Sequence, residues 1–215
     1  ALVPLIAWVR NWLNKYQPAV SHIELIDADE GAGLIIRHVS PISVGLRQKL
    51  NELFGATPIA CWFQANKGDI LTTIDGKPCQ PQLSYRLDFL LGKTIKPLVY
   101  SYHPQDFIQA NADVNQKMVN QAITLLQPKA DDNYLDLFCG IGNFSLPLSL
   151  LVSFVLGVEG SKEMVSQATN NALTNHCNNV SFVEGDLFDA QIIEKLVKDD
   201  ARVDAIDGII LDPPR

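Results

Sequence analysis

Residues 134–149 read YLDLFCGIGNFSLPLS: an apolar, strand-like run carrying Asp136, then Gly140 and Gly142 around a tight turn, then a second apolar segment. A strand that runs through a glycine pair into a helix is the opening move of a parallel α/β sheet, in which ligands bind outside the carboxyl ends of the strands. The sequence around it supports that reading. Upstream, NADVNQKMVNQAITLLQ places Val114, Met118, Val119, Ala122, Ile123 and Leu126 at helical spacing, with Asn111 as N-cap and Asp113 in the first turn. Downstream, strands and helices alternate: NYLDLF, a helix from Asn143, FVLGVE, SKEMVSQATNNALTN, VSFVEG, DAQIIEKLVKDD and DGIILD. Short connections between alternating elements predict four parallel strands with helices on both faces.

The first hundred residues are organised differently. An opening helix, ALVPLIAWVRNWLNKY, precedes a hairpin of HIELIDA and GLIIRHV, and SVGLRQKLNELFG has helical spacing with Gly55 as its stop. IACWFQA, ILTTIDG, LSYRLDF and LVYSYH read as further strands. Runs of strands without strict alternation predict a small α+β domain over residues 1–100, followed by the α/β sheet over residues 101–215.

Bulk properties exclude several classes. No run approaches the roughly 18 apolar residues of a membrane span, so no membrane association is expected. The opening segment lacks a basic leader and reads as a helix, not a signal peptide. Cys61, Cys79, Cys139 and Cys177 are scattered and form no Cys-x-x-Cys, which points away from disulfides and zinc and towards a reducing, cytoplasmic setting. Residues 1–100 carry 10 Lys and Arg against 8 Asp and Glu; residues 101–215 carry 7 against 16. The acidic second half is a poor surface for a polyanion, which would more readily meet the first half. The absence of an initial Met suggests a piece of a longer protein.

The chemistry-bearing residues fall at strand ends. Asp136 and FCGIGNF end the first strand, and Glu159, 17 residues beyond Gly142, ends the second. Glu184-Gly185-Asp186 ends the third and Asp212-Pro213-Pro214-Arg215 the fourth. An acid in the place of Glu159 can accept both hydroxyls of a ribose. Two nucleoside cofactors compete. A dinucleotide wants Gly-x-Gly-x-x-Gly with its pyrophosphate on the helix N-terminus, but Ser145 stands at the third glycine and Asp136 adds an anion. S-adenosylmethionine, whose sulfonium suits acidic surroundings, is favoured over it. Each residue also has a structural reading: the glycines as a tight turn, Phe138 as core, Cys139 as a small buried hydrophobe, Gln109 as a surface amide. Glu159 can serve a helix dipole, Asp186 can cap a turn, and the prolines can stop a strand.

Together DFIQANADVNQKMV, LDLFCGIGNFSLPLS, GVEGSKEMVSQATNNALTN and IILDPPR resemble the RNA 5-methyluridine methyltransferases, with the greatest likeness to the RumA-type branch that acts on 23S ribosomal RNA. The likeness is dense from Tyr102 to Arg215 and looser over residues 20–100. It implies a class I methyltransferase sheet, of which this sequence holds the first four strands. It also implies contacts from Gln109, Phe138, Asn143, Glu159, Asp186 and Asp212 to S-adenosylmethionine, and Phe107 near the target base. The family's RNA-binding β-barrel and the cysteine cluster for an iron–sulfur centre have no counterpart here, so that centre is expected only in the parent protein. The nucleophilic cysteine and the general base are expected beyond Arg215. Both are needed: a thiolate adds to the uracil ring so that the neighbouring carbon can attack the methyl group, and a base then removes the ring proton. The chain alone is therefore expected to be inert on ribosomal RNA. Rival readings are another base- or amino-directed methyltransferase and a non-catalytic RNA-binding or assembly module that keeps the fold. The apolar fourth strand has an open edge, which predicts self-association or disorder over residues 205–215.

Overall fold

The structure, a computed structural model, describes all residues except 1, 30, 55–58, 110, 190, 200 and 215. Gly55 and Arg215, to which the sequence assigned a helix stop and the end of the Asp-Pro-Pro-Arg turn, lie outside the described residues. The chain forms two compact units, residues 1–84 with 103–105, and residues 85–102 with 106–215.

In the first unit, helix α1 (Leu2–Tyr16) buries Leu5, Val9 and Trp12, which its periodicity places on one face. Strands β1 (Val20–Ala28) and β2 (Gly31–His38) form the expected antiparallel hairpin. Helix α2 (Val44–Phe54) then carries the chain over to β3 (Ile59–Gln64), which runs parallel to β2. A parallel pair needs such a crossover. Leu34, Ile35 and Ile36 of β2 are buried: Leu34 and Ile36 share a core with Leu5, Val9 and Trp12 of α1 and Leu50 and Phe54 of α2, and both edges of β2 are paired, with β1 and β3. ILTTIDG contributes only β4 (Leu71–Thr72), which pairs with β3 and with β5 (Pro78–Cys79). The strand expected there is short because Asp75 and Gly76 turn the chain back, with Gly76 at φ 79°.

Strands β6 (Leu83–Leu91) and β7 (Thr94–Tyr102) pair as a two-stranded sheet, most of which belongs to the second unit. Helix α3 (Ala112–Leu126) begins at Asn111, whose side chain accepts the Val114 N–H. Its buried residues are Asn115, Val119 and Ile123; the last two belong to the face expected from the sequence, whereas Val114 is 57% exposed and Asn115, a carboxamide, takes the buried place beside it.

The parallel sheet comprises β8 (Asn133–Leu137), β9 (Phe154–Glu159), β10 (Val180–Glu184) and β11 (Gly208–Leu211) in the order β10-β9-β8-β11. The fourth strand lies beside the first, as the sequence reading expected. Tyr134 and Val155 pack to one face with Leu148 of α4 (Ser145–Ser149). Leu135, Leu156 and Val158 pack to the other with Leu196 of α6 (Ile192–Asp199). This alternation is the strand period of two, applied to a sheet covered on both sides. Helix α5 (Lys162–Thr174) starts at Ser161, whose hydroxyl accepts the Met164 N–H.

Two asparagines at the C-terminal end of α5 serve as a substitute strand. Asn175 Oδ1 accepts the Val99 N–H at 2.8 Å while its Nδ2 donates to Val99 O at 2.7 Å. Asn171 does the same for Ser101, at 2.9 and 3.1 Å. Backbone groups on that edge of β7 thereby gain the partners that burial demands.

Candidate cofactor site

The loop between β8 and α4 is built on unusual backbone. Phe138 has φ 62°, Gly140 55° and Gly142 91°. The left-handed region suits glycine but is strained for a bulky residue, and such strain concentrates at functional sites. Backbone N–H groups of the loop are held at both ends of its glycine pair. The Cys139 N–H donates to Val158 O at 3.1 Å and the Gly142 N–H to Cys139 O at 2.9 Å. The Gly140 N–H donates to Glu159 Oε2 at 3.0 Å. Gly157 of β9 lets the loop approach, since a Cβ there would sit 2.9 Å from Cys139 Sγ and collide with the Phe182 ring.

Glu159 has the place at the start of α5 that its structural reading gives it, and it also holds the glycine loop. Its Oε1 accepts the Ser161 N–H at 3.1 Å, at the start of α5, while Oε2 holds Gly140. A carboxylate offers about four acceptor sites, so both oxygens can still accept from a ligand's hydroxyls. Asp186, exposed after β10, accepts the Phe188 N–H at 3.0 Å and so does cap its turn. Phe138 and Phe188 meet edge to face with centroids 5.7 Å apart, and Phe188 is 82% exposed. Asp212 is exposed after β11, with its N–H directed at Leu137 O at 3.5 Å. Gln109 is half-buried, and Phe107 is 78% exposed.

Asn143 is half-buried, and its side chain already has partners. Its Nδ2 donates to Asn115 Oδ1 at 2.8 Å, and its Oδ1 accepts from Asn115 Nδ2 at 3.0 Å and from the Tyr85 hydroxyl at 3.0 Å.

Asp136 was recognised from the sequence only as an anion near the loop. It is 1% exposed, its Oδ2 accepts the Ser145 hydroxyl at 2.5 Å, and its Oδ1 has no hydrogen-bond partner among the described residues. Burial pushes its carboxyl up to about 7 against the pull of the Ser145 bond, and the negative charges of Asp212 and Glu159 add to the rise. Asp136 thus feels the carboxylates that follow β9 and β11. Negative charge gathered there favours a cation over a pyrophosphate. Sequence reasoning missed Asn115, Ser145 and Asn171, whose Nδ2 reaches Ile141 O at 3.2 Å. The available signal was asparagine and serine standing where a helix would otherwise be apolar.

Burial makes the four thiols poor nucleophiles. It pushes Cys61 up to about 12, Cys139 well above its ordinary value with help from Asp136 and Glu159, and Cys79 and Cys177 upward as well. The thiolate is the reactive form.

A four-stranded parallel sheet ordered β10-β9-β8-β11, with a glycine loop and acids at its strand ends, is a Rossmann-like sheet of the kind that class I methyltransferases use. Its fold matches that of the Pyrococcus abyssi tRNA (uracil-54, C5)-methyltransferase, solved with S-adenosyl-L-homocysteine, with TM-score 0.65 at 16% identity over 99% of this chain and 50% of that one. The M. jannaschii tRNA m1G37 methyltransferase matches with TM-score 0.50 at 11% identity, over 85% of this chain and 52% of that one. The sequence model of the tRNA (uracil-5-)-methyltransferase family matches residues 86–215, and the chain belongs to that family. The 23S rRNA (uracil(1939)-C(5))-methyltransferase RlmD of Hahella chejuensis is 39% identical over 98% of this chain and 45% of its own length. RlmD of Photobacterium profundum is 40% identical over 94% and 39%. The chain spans less than half the length of these relatives.

Proposed function

We propose that the protein to which this chain belongs transfers a methyl group from S-adenosylmethionine to carbon five of a uracil in 23S ribosomal RNA, and that this chain holds the cofactor-binding part. The observation that carries the reading is Asp136, buried, with one oxygen lacking a partner and two further carboxylates within electrostatic reach. S-adenosylmethionine supplies the methyl group as a sulfonium, and a cation is what such a cluster can hold. Gln109, Phe138, Asn143, Glu159, Asp186 and Asp212 are assigned to the cofactor, with Glu159 on the ribose hydroxyls and Phe107 towards the base. The names of the relatives supply the ribosomal substrate.

The nucleophilic cysteine and the general base are assigned to parts of the protein outside this chain, because none of its thiols is fitted to the task. An iron–sulfur centre, where the parent has one, is assigned outside it as well. We assign residues 1–100 to the central α+β domain and 101–215 to the beginning of the methyltransferase domain; the family match and the second compact unit begin at 86 and 85. No helix among the described residues is long and apolar enough to cross a membrane, and a cytoplasmic location fits an enzyme of ribosomal RNA.

Calorimetric titration of S-adenosylhomocysteine into the full-length protein is the test, with saturable one-to-one binding expected. A flat titration would overturn the reading. Labelled S-adenosylmethionine with this chain alone should leave 23S ribosomal RNA unlabelled. Formation of 5-methyluridine would return Cys139 as a nucleophile.

A further inference from the structure

Asn171 and Asn175 stand one turn apart on α5 and clamp the same edge of β7, yet their remaining bonds differ. Asn171 is 1% exposed, on a buried stripe whose other members are Ala168 and Ala172. Its Oδ1 accepts the Ser101 N–H at 2.9 Å and Gln167 Nε2 at 3.2 Å, and its Nδ2 donates to Ser101 O at 3.1 Å and to Ile141 O at 3.2 Å. Those bonds use every donor and acceptor of the amide. A backbone N–H only donates and a backbone carbonyl only accepts, so Ser101 fixes which way the amide faces. Asn175 clamps Val99 in the same manner, but its further bond, from Nδ2 to Asn171 O at 2.8 Å, stays within α5.

The difference falls on the glycine loop. Ile141 and Gly142 share one peptide unit, and it is held from both sides. Its N–H donates to Cys139 O at 2.9 Å, and its carbonyl takes the Asn171 amide. Turning a peptide unit over changes ψ of the residue before it and φ of the residue after it. Where the second residue is glycine, as Gly142 is at φ 91°, either sign of φ is open, and the backbone itself resists the turn only weakly. The bond from Asn171 is buried, so a carbonyl deprived of it has no ready replacement in water.

We propose that Asn171 is a positioning residue for the cofactor: its amide locks the Ile141–Gly142 peptide and so keeps the glycine loop in the conformation that receives the ligand. This rests on the reading that the loop holds S-adenosylmethionine. A loop held in advance gives up less freedom on binding, and affinity gains accordingly. A residue that only clamped β7 would cost stability when lost and nothing specific to the ligand. Asn175, with the same clamp and no bond to the loop among the described residues, is the matched control.

The experiment titrates S-adenosylhomocysteine into the full-length protein and its variants Asn171→Leu, Asn171→Ala and Asn175→Leu. Melting curves and hydrogen exchange of the loop, residues 138–146, are measured beside it. Every variant should melt earlier than the wild type, since each strips the side-chain partners from one residue of β7. In the Asn171 variants the dissociation constant should rise about tenfold, the scale of one hydrogen bond's ordering of the loop, and the loop should exchange faster. Asn175→Leu should change the dissociation constant by less than about threefold and leave loop exchange at the wild-type rate. Asn171→Ala leaves room for water where the amide stood, and serves where Asn171→Leu does not fold. Equal affinity losses at 171 and 175, or no loss at 171, would overturn the positioning role and leave the cofactor reading intact. So would failure of both Asn171 variants to fold, which would make the residue scaffold. A wild-type protein that does not bind S-adenosylhomocysteine would overturn both readings.

Discussion

Arg47 in the first unit and Asp136 in the second are both ionisable groups taken out of water, at 8% and 1% exposure, and they are treated in opposite ways. Arg47 has its needs met. Its Nε donates to Ile42 O at 3.0 Å, its Nη1 to Thr72 Oγ1 and Thr73 O at 3.0 and 3.1 Å, and its guanidinium lies over the Phe63 ring at 4.4 Å. Asp136 is held by Ser145 through Oδ2, has no partner for Oδ1 among the described residues, and has like charges nearby. Leaving a buried group unsatisfied costs more than a typical hydrogen bond contributes. A satisfied buried charge therefore marks scaffold, and an unsatisfied one marks a place kept for something else.

The comparison is broken most directly at Arg47. Arg47→Met removes three charge-assisted bonds and leaves the Ile42 carbonyl short of its donor, while Thr73 O keeps the Gly76 N–H, so urea unfolding should show a loss of about 3–5 kcal/mol in the first unit's transition. Binding of S-adenosylhomocysteine should be unchanged. A loss below about 1 kcal/mol would break the contrast.

Asp136→Asn should act in the other direction. The folded carboxyl titrates at about 7, above its ordinary 3.8, so its contribution to stability is fully present below 3.8 and is lost as pH rises through 7. The variant should therefore gain on the wild type between pH 4 and 8, by about 2–4 kcal/mol at 1.36 kcal/mol per unit. It should also bind S-adenosylmethionine less well relative to S-adenosylhomocysteine, because the site loses a negative charge. Melting curves across pH check the first expectation and paired titrations the second. A variant that is less stable than the wild type at pH 8 would place Asp136 with Arg47, as scaffold.

Glu159 lies between the two extremes, since its oxygens hold two backbone N–H groups and can take more. Glu159→Gln should weaken S-adenosylhomocysteine by about one to two orders of magnitude, following the loss of charged hydrogen bonds. The bonds to Gly140 and Ser161 put the cost to folding at about 1 kcal/mol, because the amide nitrogen cannot accept from either. Unchanged affinity beside reduced stability would leave Glu159 with the scaffold alone.

The smallest effect concerns β11, the outer strand of the sheet among the described residues, with Ile209 and Leu211 exposed. We expect weak, concentration-dependent association of this chain in light scattering, reduced by Ile209→Lys. A monomer at all concentrations would remove that expectation.

Much of this protein was settled by local chemistry that any reader of the sequence can follow. Alternating apolar runs and helical stripes specified the parallel sheet, because a strand buried on both faces must be apolar and its crossovers must be short; the place of the fourth strand beside the first followed from the fold class. Glu159, Asp186 and Asp212 were singled out from position alone, since the loop after each strand is where a ligand has access to backbone and side chains. Gln109, Phe138 and Asn143 needed the resemblance, because an amide or a phenyl ring near a turn has no distinctive spacing. The tertiary structure alone decided which polar groups are satisfied. That Asn115 meets Asn143, that Ser145 reaches one oxygen of Asp136 and leaves the other bare, and that Asn171 and Asn175 complete β7 are contacts between elements 9 to 76 residues apart in the chain. Their energies depend on distances of about 3 Å and on exclusion of water, and no pattern along a single strand or helix records either.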